Sequence, residues 1–316
     1  MSAITLRGPA WVTVRQHRRA VWVTLALLVA SAGTVVALRV WMASAQAKCP
    51  DGDITICGDD IFQYSEVQSA AMWVMEYGAL GMLLIPLLVG AFVAGPMVAR
   101  DLESGTYKML WTQAVTPRRW LAAKVAVPAI TVLAGVAVLT AVYRWGWTYL
   151  AKDAFNHSWY EPHVYAAIGP VTVAYALLAV AVGALVGLLV RRTVPAMAVT
   201  ALVTGAVMVA LANARGGFWT TRTISGPNMN MLDTPEGAFT VAEWMTNAEG
   251  GRISGAQCWN DTDINQCYVH HGITGFREYH PVSHFWPLQL VETGIVLALA
   301  ALLTAAAFYV LRRRSA

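Results

Sequence analysis

Long apolar runs alternate with short charged breaks along this chain. Six runs approach or exceed the length of about 20 residues that a helix needs to cross the hydrocarbon core of a bilayer. They cover roughly 20–38, 72–98, 121–142, 165–190, 194–212 and 288–311. Pro86, Pro128 and Pro170 fall inside runs, which membrane helices tolerate where neighbours satisfy the freed carbonyls. The pattern predicts an all-α integral membrane protein with six transmembrane helices. The first run follows basic residues and precedes the small residues "ASAQA", as a cleaved signal peptide would. Its apolar stretch exceeds the usual length of about 7–15 residues, and Arg39 and Trp41 separate it from the small residues, so a retained span is expected.

Composition supports the bilayer. Hydrophobic residues make up 57% of the chain and charged residues 13%, against about 25% charged in soluble domains. The net charge of +4 does not signal nucleic-acid binding, because the charges are sorted by position. Basic residues cluster at 7–19, 100–124, 191–192 and 312–314, beside only two acids, Asp101 and Glu103. The intervening loops on the other side are acidic. By the positive-inside rule both termini are expected in the cytoplasm, in a multi-pass protein of the plasma membrane.

All four cysteines fall on the opposite side, Cys49 and Cys57 in the first outer loop, Cys258 and Cys267 in the third. Two local disulfides, Cys49–Cys57 and Cys258–Cys267, are expected in an oxidising compartment. Cross-loop pairing stays open, since four cysteines allow three connectivities. The organisation that follows is an interfacial cytoplasmic segment at 1–19, five spans over 20–212 with a charged inner loop at about 97–119, an outer loop at 213–287, and a sixth span with a basic tail at 288–316. The outer loop is the one segment outside the spans large enough for a small folded unit.

Catalytic chemistry is not visible. The chain has no phosphate-binding Gly-rich loop followed by Lys and Ser/Thr, no His-Glu-x-x-His and no Gly-x-Ser-x-Gly. No metal or cofactor site is expected; six of the seven histidines lie in outer segments, at spacings of no dedicated metal motif. Ionisable residues within spans, Arg39, Glu76, Arg144 and Glu292, sit toward the outer ends. Such charges either reach the interface and pack, or they work. Phe285 and Trp286 stand where an aromatic belt meets outer headgroups. Gln289 and Glu292 follow at i, i+3. One expectation is that these residues form an outer gate, with Glu292 paired to Arg39 or Arg144 and loop 213–287 as its cap. The other is that Glu292 only orders the span.

The charged break "ARDLESGTYKMLWTQAVTPRRWLAAK", residues 99–124, stands out. A helix from Pro96 to Trp111 would gather Val98, Leu102, Met109 and Leu110 on one face and Asp101, Ser104 and Lys108 on another. Gly105 permits a bend. Thr116 then reads as an N-cap and Pro117 as the first helical residue of the third span. Asp101 and Glu103 are expected to pair with Arg100 and Lys108, or to meet a second protein.

This passage resembles the inner loop of the membrane subunit of ABC-2 type (type V) ABC transporters. That loop carries an acidic residue, Gly-Thr, a Leu-rich turn, a basic residue and a Lys entering the third span. Glu103, Gly105, Thr106, Leu110, Arg118 or Arg119, and Lys124 fill those places. The tail "YHPVSHFWPLQLVETG" resembles a subgroup common among actinobacterial ABC permeases, through Tyr279, Pro281, Phe285, Trp286, Gln289 and Glu292. The resemblance implies a permease half that forms a homodimer or heterodimer, works with a separate cytoplasmic ATPase, and most often exports. ATP and Mg would bind on the ATPase, and this chain would not be an enzyme. Asp101, Leu102, Glu103, Gly105, Thr106, Met109 and Leu110 would form the ATPase-coupling helix. Two other classes remain. A secondary transporter would want ionisable groups near mid-bilayer, and a membrane sensor would use loop 213–287 as its ligand-binding region.

Overall fold

The computed structural model describes residues 18–50, 57–107, 116–151, 157–227, 232–254, 258 and 263–315. The chain divides into two units, residues 1–212 with 292–316, and residues 213–291.

The first unit is helical. Its elements are α1 (Arg18–Lys48), α2 (Asp60–Leu88), a π-helical stretch (Val89–Ala94), α3 (Gly95–Glu103), α4 (Pro117–Leu150), α5 (Pro162–Ile168), α6 (Val171–Val190), α7 (Thr193–Ala214) and, after the second unit, the rest of α9 (Phe285–Ser315). Among the described residues, six helices are long and apolar enough to cross a membrane. α2, the π stretch and α3 form one rod from Asp60 to Glu103, 44 residues long, or about 66 Å at 1.5 Å per residue. That is twice the hydrocarbon thickness, so the rod continues well past the apolar run 72–98.

α6 is the centre of this unit. In its apolar window 72% of the residues are buried, against 17–44% in the other five spans. Its glycines explain how it is enclosed. A Cβ at Gly183 would lie 2.5 Å from the backbone carbon of Ala94, and one at Gly187 would lie 2.9 Å from Val98 Cβ. The backbones of α6 and the π–α3 stretch therefore touch where only glycine fits. Met97, Val98, Trp120, Leu121, Val180, Ala184, Leu188 and Leu311 close the core around them. Large apolar side chains such as Phe92, Leu202 and Leu302 are left exposed on the outside of the unit, as a lipid-facing surface requires.

The second unit corrects the all-α expectation. Residues 213–291 hold a four-stranded antiparallel sheet of β1 (Arg222–Gly226), β2 (Phe239–Thr246), β3 (Arg252–Ile253) and β4 (Thr274–His280), in the order β1-β4-β2-β3. The physical reason lies in "FTVAEWMT" and "TGFREYH", short stretches rich in the β-branched and aromatic residues that suit a pleated surface. Trp244 pairs with Phe276 across the sheet, their rings stacked at 5.4 Å. Arg277 of β4 binds Glu243 of β2 at 2.6 Å and reaches Thr234 Oγ1 at 3.2 Å. The Cys258–Cys267 disulfide ties the short helix α8 (Ile264–His270) into a small core with Tyr268 and Ile273. The second disulfide joins Cys49 to Cys57, between α1 and α2.

Candidate functional site at the basic end of the helical unit

The charged passage is built from the end of α3, the start of α4 and the turn between α6 and α7. α3 stops at Glu103. Gly105 follows with φ +72°, a left-handed conformation that suits glycine. The Ser104 and Thr106 hydroxyls donate to the Asp101 carbonyl at 3.4 and 3.3 Å, satisfying one of the carbonyls that a helix end leaves free. α4 restarts as its sequence predicts. Thr116 Oγ1 accepts from the Arg119 amide at 3.4 Å, and Pro117 opens the helix.

The acids point to partners that periodicity alone does not reveal. Asp101 Oδ2 lies 3.0 Å from Lys124 Nζ, with both side chains mostly buried. The same oxygen accepts from Trp120 Nε1 at 3.2 Å. Asp101 thus locks α3 to the start of α4 and is not paired with Arg100; Lys108, the other expected partner, lies outside the described residues. Glu103 points the other way. Its Oε2 accepts from the Thr193 amide at 2.8 Å and from the Thr193 hydroxyl. A carboxylate at a helix N-terminus satisfies a free amide and complements the helix dipole. It can reach Thr193 because α6 ends at Arg191 in a left-handed turn, φ 56°, and α7 begins two residues later. Arg314, near the end of α9, donates to the Leu188 carbonyl close by on α6.

Leu102 is half-buried and packs on the core cluster rather than on an outer face. Gly105 and Thr106 form the turn. Met109 and Leu110 lie outside the described residues. Trp120 and Thr193 carry no signal of these contacts in the sequence, whereas the glycine pair "GALVG" at 183–187 does: small residues four apart in an apolar run mark close helix packing.

The residues expected to form the outer gate make the following contacts. Glu292 is buried and its Oε1 accepts from the Tyr175 hydroxyl of α6 at 2.6 Å. Arg144 donates to the Ile168 carbonyl at 2.8 Å. Arg39 lies over the rings of Trp145 and Tyr149 and not against Glu292, because Glu292 turns toward α6 while Arg39 turns toward α4. Phe285 and Gln289 are buried, and Trp286 is exposed. Glu76 Oε2 sits 3.1 Å from His163 Nε2 and 3.7 Å from His157 Nε2. Among the described residues no group of three or more His, Cys, Asp or Glu side chains is arranged to hold a metal ion.

Six long apolar helices among the described residues are the architecture of a multi-pass membrane protein. A family model described as ABC-2 membrane transporter related matches residues 20–215, more than half of the chain. The chain belongs to that family, and is thereby a permease component of an ABC transporter. The match ends where the sheet-bearing unit begins. Comparison with curated proteins and with solved structures found no match.

Proposed function

We propose that this chain is the membrane half of an ATP-driven exporter of the type V class, working as a dimer with its termini in the cytoplasm. The segment from Ser104 to Thr116 docks on a separate ATPase chain, which binds ATP and Mg and performs the hydrolysis. One observation carries this reading. The two acids just before the turn hold the end of α3 to two different spans, Asp101 to α4 through Lys124 and Trp120, and Glu103 to α7 through Thr193. A push on the turn therefore moves α3, α4 and α7 together, which is the mechanical requirement of a coupling element. The sorting of basic residues to this end supports the cytoplasmic placement.

The test is site-specific cross-linking. Thr106→Cys in the full chain, expressed in its native host, should link through a short bifunctional reagent to an ATPase, identified by its phosphate-binding loop. The link should form from the cytoplasmic side only. An ATPase that co-purifies but never links to position 106, with links from the other end of the bundle instead, would reverse the proposed orientation and docking.

A further inference from the structure

Arg39 of α1 carries a charge that no carboxylate of the described residues neutralises within ion-pair distance. Its guanidinium carbon lies 4.1 Å from the ring centroid of Trp145 and 4.3 Å from that of Tyr149. Those rings stand one helical turn apart on α4 and make a single platform. Ring faces attract a guanidinium but leave the N–H donors along its edge unpaired.

The platform opens outward. Trp145 and Tyr149 are 46% and 40% exposed, and Val36 and Val40, which flank Arg39 on α1, are 48% and 65% exposed. Its depth is set by two helices independently. The apolar run 20–38 ends at Arg39, and the run 121–142 of α4 ends just before Tyr143, Arg144 and Trp145. Arg39 follows Arg18, the first residue of α1, by about 31 Å of helix, close to the hydrocarbon thickness of about 30 Å. Seven residues further along α1, Gln46 Oε1 accepts from the Tyr149 hydroxyl at 3.0 Å, marking the polar layer.

We propose that Arg39, seated on Trp145 and Tyr149, binds the phosphodiester of an anionic phospholipid in the leaflet at the disulfide-bearing end. Stacking fixes the plane of the guanidinium, so its edge presents parallel N–H donors to two phosphate oxygens. The acyl chains run toward mid-bilayer along Val36 and Val138, both exposed. Val138 lies two turns before Trp145 on the same face of α4. Free phosphate would gain none of that apolar contact. This site is independent of the coupling role proposed above.

The experiment uses the full chain in phosphatidylcholine nanodiscs doped with phosphatidylglycerol carrying a photoreactive headgroup, followed by peptide mapping. Label is expected on the peptides containing residues 36–46 and 145–149. Arg39→Gln should cut that label about fivefold, Arg39→Lys should cut it less, and Trp145→Leu should also lower it. Unlabelled phosphatidylglycerol should displace the probe, and inorganic phosphate should not. The proposal fails if wild-type protein is not labelled there, or if phosphatidylcholine with the same photoreactive group labels equally. It also fails if inorganic phosphate displaces the probe, or if folded Arg39→Gln labels like wild type. Should Arg39→Gln not fold, the wild-type map and the two competitions still decide the matter.

Discussion

Glu103 caps a helix that begins 90 residues away in sequence: its carboxylate takes the Thr193 amide at 2.8 Å and the Thr193 hydroxyl as well. The end of the second span is thereby fastened to the start of the fifth. Glu103→Ala removes both acceptors, whereas Glu103→Gln keeps an acceptor oxygen and loses the charge. Both variants should insert and fold, because the carboxylate is exposed and the core beneath it is intact. Substrate-stimulated ATP hydrolysis in proteoliposomes should fall in the order wild type, Gln, Ala. Equal activity in all three would remove Glu103 from the coupling path.

Asp101 and Lys124 pose a different question, because their pair is mostly buried. Breaking such a pair from one side strands a charge and costs about 3–5 kcal/mol in sealed sites, while replacing both partners costs less. Lys124→Met should lower stability by about 3 kcal/mol, since some solvent still reaches the site. Adding Asp101→Asn should recover part of this loss, because Asn still offers an oxygen to Trp120 Nε1. Thermal unfolding of the purified single and double variants gives the coupling energy directly. Additive losses would mean that the two charges act independently.

Those contacts show where sequence reading succeeds and stops. The six apolar runs were legible because bilayer thickness imposes a length on them. The N-cap at Thr116 was legible because Pro117 follows it. The partners of Asp101 were not, since Arg100 and Lys124 are both basic neighbours and only the packing of α3 on α4 chooses between them. Thr193 could not be paired with Glu103 without the turn at Arg191, a left-handed residue that no glycine announces. The sheet of 213–291 was hidden by short strands whose partners are out of order in sequence. Glu292 was expected to pair with Arg39 or Arg144 on grounds of depth alone. Depth carries no information on which face of α1 the guanidinium leaves, and Arg39 turns toward α4.

The Cys258–Cys267 bond closes a loop within the sheet-bearing unit, with a sequence separation of 9. Loop closure of that size restricts the unfolded chain by about 2–3 kcal/mol. The Cys258→Ser/Cys267→Ser variant should therefore loosen α8 and β4, which surround Tyr268 and Ile273. Hydrogen exchange read by mass spectrometry should show lost protection over residues 264–280 and unchanged protection over α6. Uniform loss across both units would show that they unfold as one.

Gly183 offers the sharpest packing test, because the same helix bundle supplies its own control. A Cβ at Gly183 would stand 2.5 Å from both the backbone carbon and the Cβ of Ala94, and 2.7 Å from its carbonyl oxygen. No side-chain rotation relieves a clash with backbone, so Gly183→Ala must push α6 off the π stretch. Overpacking of this kind costs about 1–3 kcal/mol, offset by at most about 1 kcal/mol from the better helix propensity of alanine. Gly294 in α9 has nothing within 4 Å of its would-be Cβ, so Gly294→Ala keeps only the propensity gain. Thermal unfolding of the two purified variants should move in opposite directions, Gly183→Ala down and Gly294→Ala unchanged or up. If both rise, α6 and the π stretch do not make backbone contact, and the rigid link between the central span and the charged turn is lost with it.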